Sequence, residues 1–145
     1  MSEGRSVQSP KWFMIVSLIA FVWNLLGVTA YIMQATMSPD ALAALPDAER
    51  ALLESTPAWA TAAFAIAVHG GALGCLFLIL RKTWAVPLLE LSLLGVIVQM
   101  FHSIFIAKSI EVYGPGGLTM PVMVIVISFY LVFLARSAKA RHWLS

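Results

Sequence analysis

Four stretches of about twenty residues run along the chain almost without charge, each long enough to cross about 30 Å of hydrocarbon at about 1.5 Å per helical residue. They are Trp12 to Met33, Ala58 to Leu80, Trp84 to Ala107 and Leu118 to Ala135. Only the third contains an Asp, Glu, Lys or Arg, and that residue is Glu90. The first run is too long for a signal peptide and continues through Trp23 and Tyr31 with no small-x-small cleavage site, so it reads as a permanent helix. The pattern predicts one all-α domain over 1–145, an integral membrane four-helix bundle.

Spacing within the runs divides their faces. On the first, Ser17, Ala20, Asn24, Gly27, Tyr31 and Gln34 follow one another three or four apart. That stripe should turn toward the bundle, because Asn24 is costly against lipid and small residues let helices approach. The second run is small nearly all round. Ala58, Ala62, Ala65, His69 and Ala72 form one face, while Ala63, Ala67, Gly70 and Gly74 form another, with Gly70 and Gly74 as a GxxxG helix-packing pair. Two small faces make this helix the central one. On the third run Ser92, Gly95, Gln99 and His102 share a side and Glu90 projects from the opposite one. The fourth offers only Ser128 and Tyr130 among large apolar residues and reads as the most lipid-exposed.

Between the first two runs, Ser38, Pro39 and Asp40 read as an N-cap, a Pro at the first helical position and an acid in the first turn. Pro46 and Asp47 restart a helix whose Leu52 and Leu53 lie beside Glu49, Arg50 and Glu54. This short amphipathic segment of the first outer loop is expected to lie on the membrane surface. Gly114, Pro115, Gly116 and Gly117 form a turn by composition. The brief Arg81, Lys82, Thr83 connection makes the second and third spans antiparallel neighbours.

Composition agrees and narrows the class. Of 145 residues, 61% are hydrophobic and 11% charged, and mean hydropathy is +0.90. A soluble globule of this size could not cover itself with so few polar side chains. The net charge of +2 is spread over nine Lys and Arg at segment ends, with no basic stripe for nucleic acid. Those cations set orientation. With both chain ends cytoplasmic, Arg5, Lys11, Arg81, Lys82, Arg136, Lys139 and Arg141 lie inside, and only Arg50 and Lys108 lie outside. Trp12, Trp84 and Trp143 then mark the inner interface, and Trp59 and Tyr113 the outer. The single cysteine, Cys75, sits in an apolar run and reads as packing.

Candidate chemistry rests on the few polar groups within the spans. Counting the helical rise puts Asn24 and His69 near the midplane, Gln99, Tyr31, Gln34 and His102 progressively outward, and Glu90 about 9 Å from the inner boundary. Asn24, Tyr31, His69, Gln99 and His102 would line a ligand site or pathway, a polar column open outward, formed by the first three spans. Glu90 has two readings: a proton-coupling or gating group whose pKa burial would raise, or an anchor reaching Arg81, Lys82 or water. His69 likewise reads as a relay or ligand, or as a neutral interhelical partner of Asn24. A haem between His69 and His102 requires them at one depth, and they differ by about 10 Å. His142 belongs to a solvated basic tail. No catalytic motif of the GxSxG, HExxH, P-loop or GxGxxG type occurs, and neither cofactor nor metal is expected.

Several stretches carry a resemblance. They are Tyr31 to Gln34, the outer Ser38 to Leu42, Phe64 to Cys75 with its glycines, and Leu93 through Gln99. In these the chain resembles a group of small four-span bacterial inner-membrane proteins often labelled sugar transporters, and its architecture is similar to DoxX-like membrane proteins. The resemblance implies a transporter and assigns no residue a role. The expected function is a small-solute transport or permeation component of the bacterial inner membrane. Its partners would be the lipid bilayer, an unidentified small molecule and further copies of itself in a homo-oligomer, and not nucleic acid. An accessory or scaffold subunit of a membrane complex is the first alternative, and a redox or lipid-modifying enzyme the second.

Overall fold

The computed structural model describes residues 8–114, 116 and 119–145. Arg5, Pro115, Gly117 and Leu118, to which the sequence assigns an inner charge, turn positions and the start of a span, lie outside the described residues. Four long helices are apolar enough to span a membrane: α1 (Lys11–Ala35), α4 (Ala58–Ile79), α5 (Ala85–Phe101) continued by a π-helical turn (His102–Ile106), and α7 (Thr119–Ala140). Short helices α2 (Pro39–Ala43), α3 (Asp47–Glu54) and α6 (Ser109–Tyr113) fill the connections at one end, here called the loop end. Lys11, the 81–83 turn, Lys139 and Arg141 occupy the other, basic end. The protein is an all-helical membrane bundle.

The spans follow the apolar runs because lipid leaves the backbone no partner but its own carbonyls. One boundary differs. The fourth helix continues five residues past Ala135 to Ala140, taking in Arg136 and Lys139, because charges near a helix end can reach polar surroundings without ending the helix. At the loop end the start of α2 is as its residues dictate: the Ala41 N–H donates to Ser38 Oγ at 3.1 Å behind Pro39. Arg50 pairs with Asp47 at 2.6 Å and donates to the Ala43 carbonyl, tying α3 to α2.

Packing is serial. α4 lies along α1 and α5, and α5 along α7, while α1 and α7 make little contact with each other. α4 is the most buried span, as its small residues require; α1 is the least. The expectation that the fourth span is the most exposed therefore fails, because α7 closes over the basic end with Leu131, Leu134, Ala135 and Ala138 while most of α1 packs on α4 alone.

The glycines explain the central pair. A Cβ on Gly95 would lie 2.8 Å from the Ala63 carbonyl oxygen and 2.9 Å from the Ala67 nitrogen, so α5 rests there directly on the α4 backbone. Gly70 and Gly74 meet Leu88, Leu89 and Ser92 from the other side of the same contact. Ser92 Oγ adds a hydrogen bond to the Ala67 carbonyl at 2.5 Å. Close backbone approach supplies the dispersion contacts that hold helices together where lipid removes the hydrophobic drive.

At the basic end the chain folds back on itself. α4 and α7 both terminate in Schellman turns, with Lys82 N–H bonded to Phe77 O and Trp143 N–H to Ala138 O, each at 2.8 Å. The left-handed positions fall on Arg81 (φ 59°) and His142 (φ 60°) rather than on glycine. Residues 143–145 then bond the 81–83 turn: Ser145 N–H to Arg81 O at 2.9 Å and Thr83 N–H to Ser145 O at 3.1 Å. Trp143 is consequently buried against Phe13 and Trp12, with ring centroids 5.4 and 5.7 Å away, so at the basic end its ring packs against the protein and is not presented outward. Exposed His142 carries the strain without a side-chain role in the fold, so His142→Gly should stabilise the protein by about 1 kcal/mol. An unfolding titration in mixed micelles checks this; a destabilised variant would refute it.

Candidate functional site

The polar residues of the spans do not form one column. They fall into a buried junction, two neighbouring cavities and two outward-facing pairs.

The junction lies where α1, α4 and α5 meet at mid-depth. Asn24 Nδ2 donates to the Ala20 carbonyl at 2.9 Å and contacts Cys75 Sγ at 3.5 Å. Its Oδ1 occupies the space that a Cβ on Gly71 would need, beside Ser92 Oγ. Asn24 is therefore satisfied by Ala20 and Cys75, not by His69. Removing it with Asn24→Leu should lower stability by about 1 kcal/mol, the usual size of a polar contact within membranes. A change above about 3 kcal/mol in the same micellar titration would contradict that account.

Above the junction, toward the loop end, lies a cavity of about 410 Å³ bounded by all four spans. Gly27, Val68, Val96, Val124 and Ile127 make its walls apolar, and Asn24 and Ser92 form its floor. Leu26 on α1 and Met120 on α7 also line it while standing largely exposed, so it opens sideways where those two helices diverge. It shares Phe64, Gln99 and Met120 with a neighbouring cavity of about 530 Å³ under the short helices. Here the wall turns polar, with Gln34, Thr61, Gln99, His102 and Ser103, roofed by Leu52 and Leu53 of α3. The apolar face of α3 is thus turned onto the bundle and not onto a membrane surface. No charged side chain lines either cavity among the described residues. Tyr113 closes the rim; burial and the nearby Glu49 carboxylate push its phenol above the usual range, which keeps it neutral.

His102 has the most unusual setting. It is 6% exposed and meets the Trp59 ring edge-on at 5.2 Å, yet its imidazole makes no hydrogen bond among the described residues. It begins the π-helical turn, whose widened register re-aims side chains and recurs at functional sites. The side-chain amide of Gln99, one turn earlier, likewise has no hydrogen-bond partner among the described residues. Both amphoteric groups face the cavity, where a hydrogen-bonding ligand would find them.

Below the junction the bundle is shut. Phe13, Leu78, Ala85, Ala135 and Ala138 are fully or almost fully buried there, with Trp143 and Leu144 packed beneath them.

The remaining candidates lie outside this space. His69 is exposed on the α1–α4 flank; its Nδ1 donates to the Ala65 carbonyl at 2.7 Å and its ring stands edge-on to Tyr31 at 5.4 Å. Tyr31 instead borders a smaller cavity of about 260 Å³ under α2 and α3, which shares Gln34, Thr56 and Thr61 with the larger one. Glu90 accepts from Arg136 Nη2 at 2.7 Å and Nε at 2.8 Å across the α5–α7 flank. The sequence had placed Arg136 near the basic interface and sought the partner of Glu90 in Arg81 or Lys82. With both members so accessible, Glu90→Gln should cost no more than about 1 kcal/mol, checked by the same unfolding titration. Asn24 and Gln99 thus line the deeper cavity and Gln99 and His102 the neighbouring one, Tyr31 borders the third, and His69 and Glu90 line none of the three. Ser103 and the π-helical turn were not singled out by sequence, which holds no marker for an inserted residue. Among the described residues no three His, Cys, Asp or Glu side chains gather as a metal would require.

Fold and site together define a class: a four-span membrane protein with a blind, uncharged cleft reaching from its loop end to mid-depth. No family model matches the chain, and no curated protein or solved structure matches it either.

Proposed function

We propose that the protein is a small-solute transport or permeation component of a bacterial inner membrane, with its cleft open to the outside and its seal on the cytoplasmic side. One observation carries this reading. The two neighbouring cavities together extend from the loop end to Asn24 and Ser92, above a packed basic end, as a substrate site closed on one side would. The cation distribution supports the orientation, and the likeness of the Tyr31 to Gln34 and Phe64 to Cys75 stretches to small bacterial transporters supports the membrane. Uptake of neutral solutes by proteoliposomes tests the proposal. Gln99→Leu and His102→Leu should each slow uptake about tenfold, the factor for one lost hydrogen bond to a buried partner. A wild-type protein that moves no neutral solute would end this reading.

His69 favours a second reading, an oligomeric or accessory subunit. Its Nδ1 bond leaves Nε2 an acceptor with no hydrogen bond among the described residues, on an exposed mid-depth face that it shares with Ala62, Ile66 and Leu73. Lipid offers that nitrogen nothing, whereas a neighbouring helix can. Native mass spectrometry from mild detergent should then show a multimer or a stoichiometric partner that His69→Ala releases.

A further inference from the structure

The two neighbouring cavities, which share Phe64, Gln99 and Met120, differ in which polar groups remain open, and that difference specifies a ligand. In the deeper one the hydroxyl and amide groups of the floor are already used: Ser92 donates to Ala67 O, Ser128 to Val124 O at 2.7 Å, and Asn24 to Ala20 O. Its other polar side chains are the Trp23 indole and Gln99, which it shares with the upper cavity, and the wall between is apolar. In the upper one the Gln99 amide and the imidazole of His102, a residue more than nine-tenths buried, make no hydrogen bond among the described residues. Whatever fills the whole space therefore carries its polar part at the loop end and an apolar part below.

Charge and access narrow it further. With no ionic side chain lining either cavity among the described residues, a charged head would sit uncompensated at membrane depth, so the head is neutral. Each volume lies within the range of about 300–1,000 Å³ of pockets that enclose one small ligand, which fits one chain and one small head better than a two-chain lipid. Leu26 and Met120 line the deeper cavity and stand largely exposed on spans that face lipid, so an aliphatic chain entering between α1 and α7 would not cross water. A head near the membrane face with a chain reaching the midplane also matches how amphiphiles already lie in a leaflet.

We propose that the cleft binds a neutral single-chain amphiphile, head on His102 and Gln99, chain between α1 and α7 down to the Asn24–Ser92 floor. The inference rests on reading the cavities as a solute site and names the substrate class of that site.

The test titrates the protein, held in phosphatidylcholine nanodiscs, with monoolein as probe and reads stoichiometry by native mass spectrometry and saturation by the thermal unfolding midpoint. One monoolein per chain should bind saturably, with oleate (charged head), glycerol (head alone) and hexadecane (chain alone) at least tenfold weaker. Ser128→Trp and Val124→Trp, which fill the slot from α7, should each abolish saturable binding, and His102→Leu should weaken it about tenfold. Oleate binding as well as monoolein would overturn the inference, as would unsaturable uptake or glycerol sufficing alone. Undiminished binding by whichever Trp variant folds would overturn it too, and should neither fold, the wild-type comparison of the four probes decides. Saturable monoolein binding by a protein that moves no solute refutes transport alone. Solute uptake without monoolein binding refutes the amphiphile alone.

Discussion

Gly95→Ala should destabilise the bundle by about 3 kcal/mol, the upper end of the range for overpacking a close-fitted interior. A methyl group there meets the Ala63 carbonyl oxygen at 2.8 Å and the Ala67 nitrogen at 2.9 Å. Both are helix backbone, so no side-chain rotation relieves the overlap and α4 must move away from α5. That movement would loosen the Ser92 bond to Ala67 O and the neighbouring contacts of Gly70 and Gly74. The other glycines grade the effect. A methyl on Gly71 displaces the Asn24 amide, and one on Gly74 meets the Leu89 side chain at 2.6 Å; these groups can turn, and each substitution should cost about 1–2 kcal/mol. Gly70, whose nearest neighbours stand at 3.3 Å, should be the most tolerant. Unfolding of the four variants in mixed micelles gives the ranking. A Gly95→Ala protein no less stable than Gly70→Ala would show that the α4–α5 contact is not held by backbone approach.

That ranking also shows what the sequence could reveal. The spans were legible because hydrocarbon demands about twenty apolar residues, and the stripe from Ser17 to Gly27 because one polar group among large apolar ones can point only inward. α4 was ambiguous for the opposite reason: both of its faces are small, and spacing tells which residues share a face without telling which face turns in. The structure buries the Ala63, Ala67, Gly70 and Gly74 side, where backbone can meet backbone, and leaves His69 outside with its own carbonyl partner at Ala65. Polarity alone had grouped His69 with Asn24. The α5 stripe of Ser92, Gly95, Gln99 and His102 was read correctly because Glu90 opposes it, yet the partner of Glu90 lay 46 residues away on another helix, a distance that no local pattern spans. The fold-back of residues 143–145 was illegible for a similar reason. Tryptophan beside basic residues ordinarily marks a headgroup interface, and only the two left-handed helix ends at Arg81 and His142 turn Trp143 inward.

The fold-back gives the seal its depth, and the seal is where the transport reading is most exposed to test. Phe13 is wholly buried beside Leu78, Ala85 and Ala135, with the Trp143 ring 5.4 Å away. Phe13→Ala removes an aromatic ring from a site whose neighbours are already close-packed, and large-to-small changes of this kind cost about 3–5 kcal/mol because the space does not collapse fully. The void would open beneath the Asn24–Ser92 floor, so the barrier between cleft and basic end would thin as the protein weakens. Two measurements should therefore move together: the unfolding midpoint falls, and proteoliposomes swell faster in glycerol than those carrying wild-type protein. Trp143→Ala should act in the same direction, since it leaves Phe13 without its covering ring. His142→Gly, which keeps the tail in place, should not increase swelling. Folded Phe13→Ala protein whose liposomes swell no faster than wild type would mean that the packed basic end is structural mass and not a gate, and the cleft would then be a binding site with no path through the membrane.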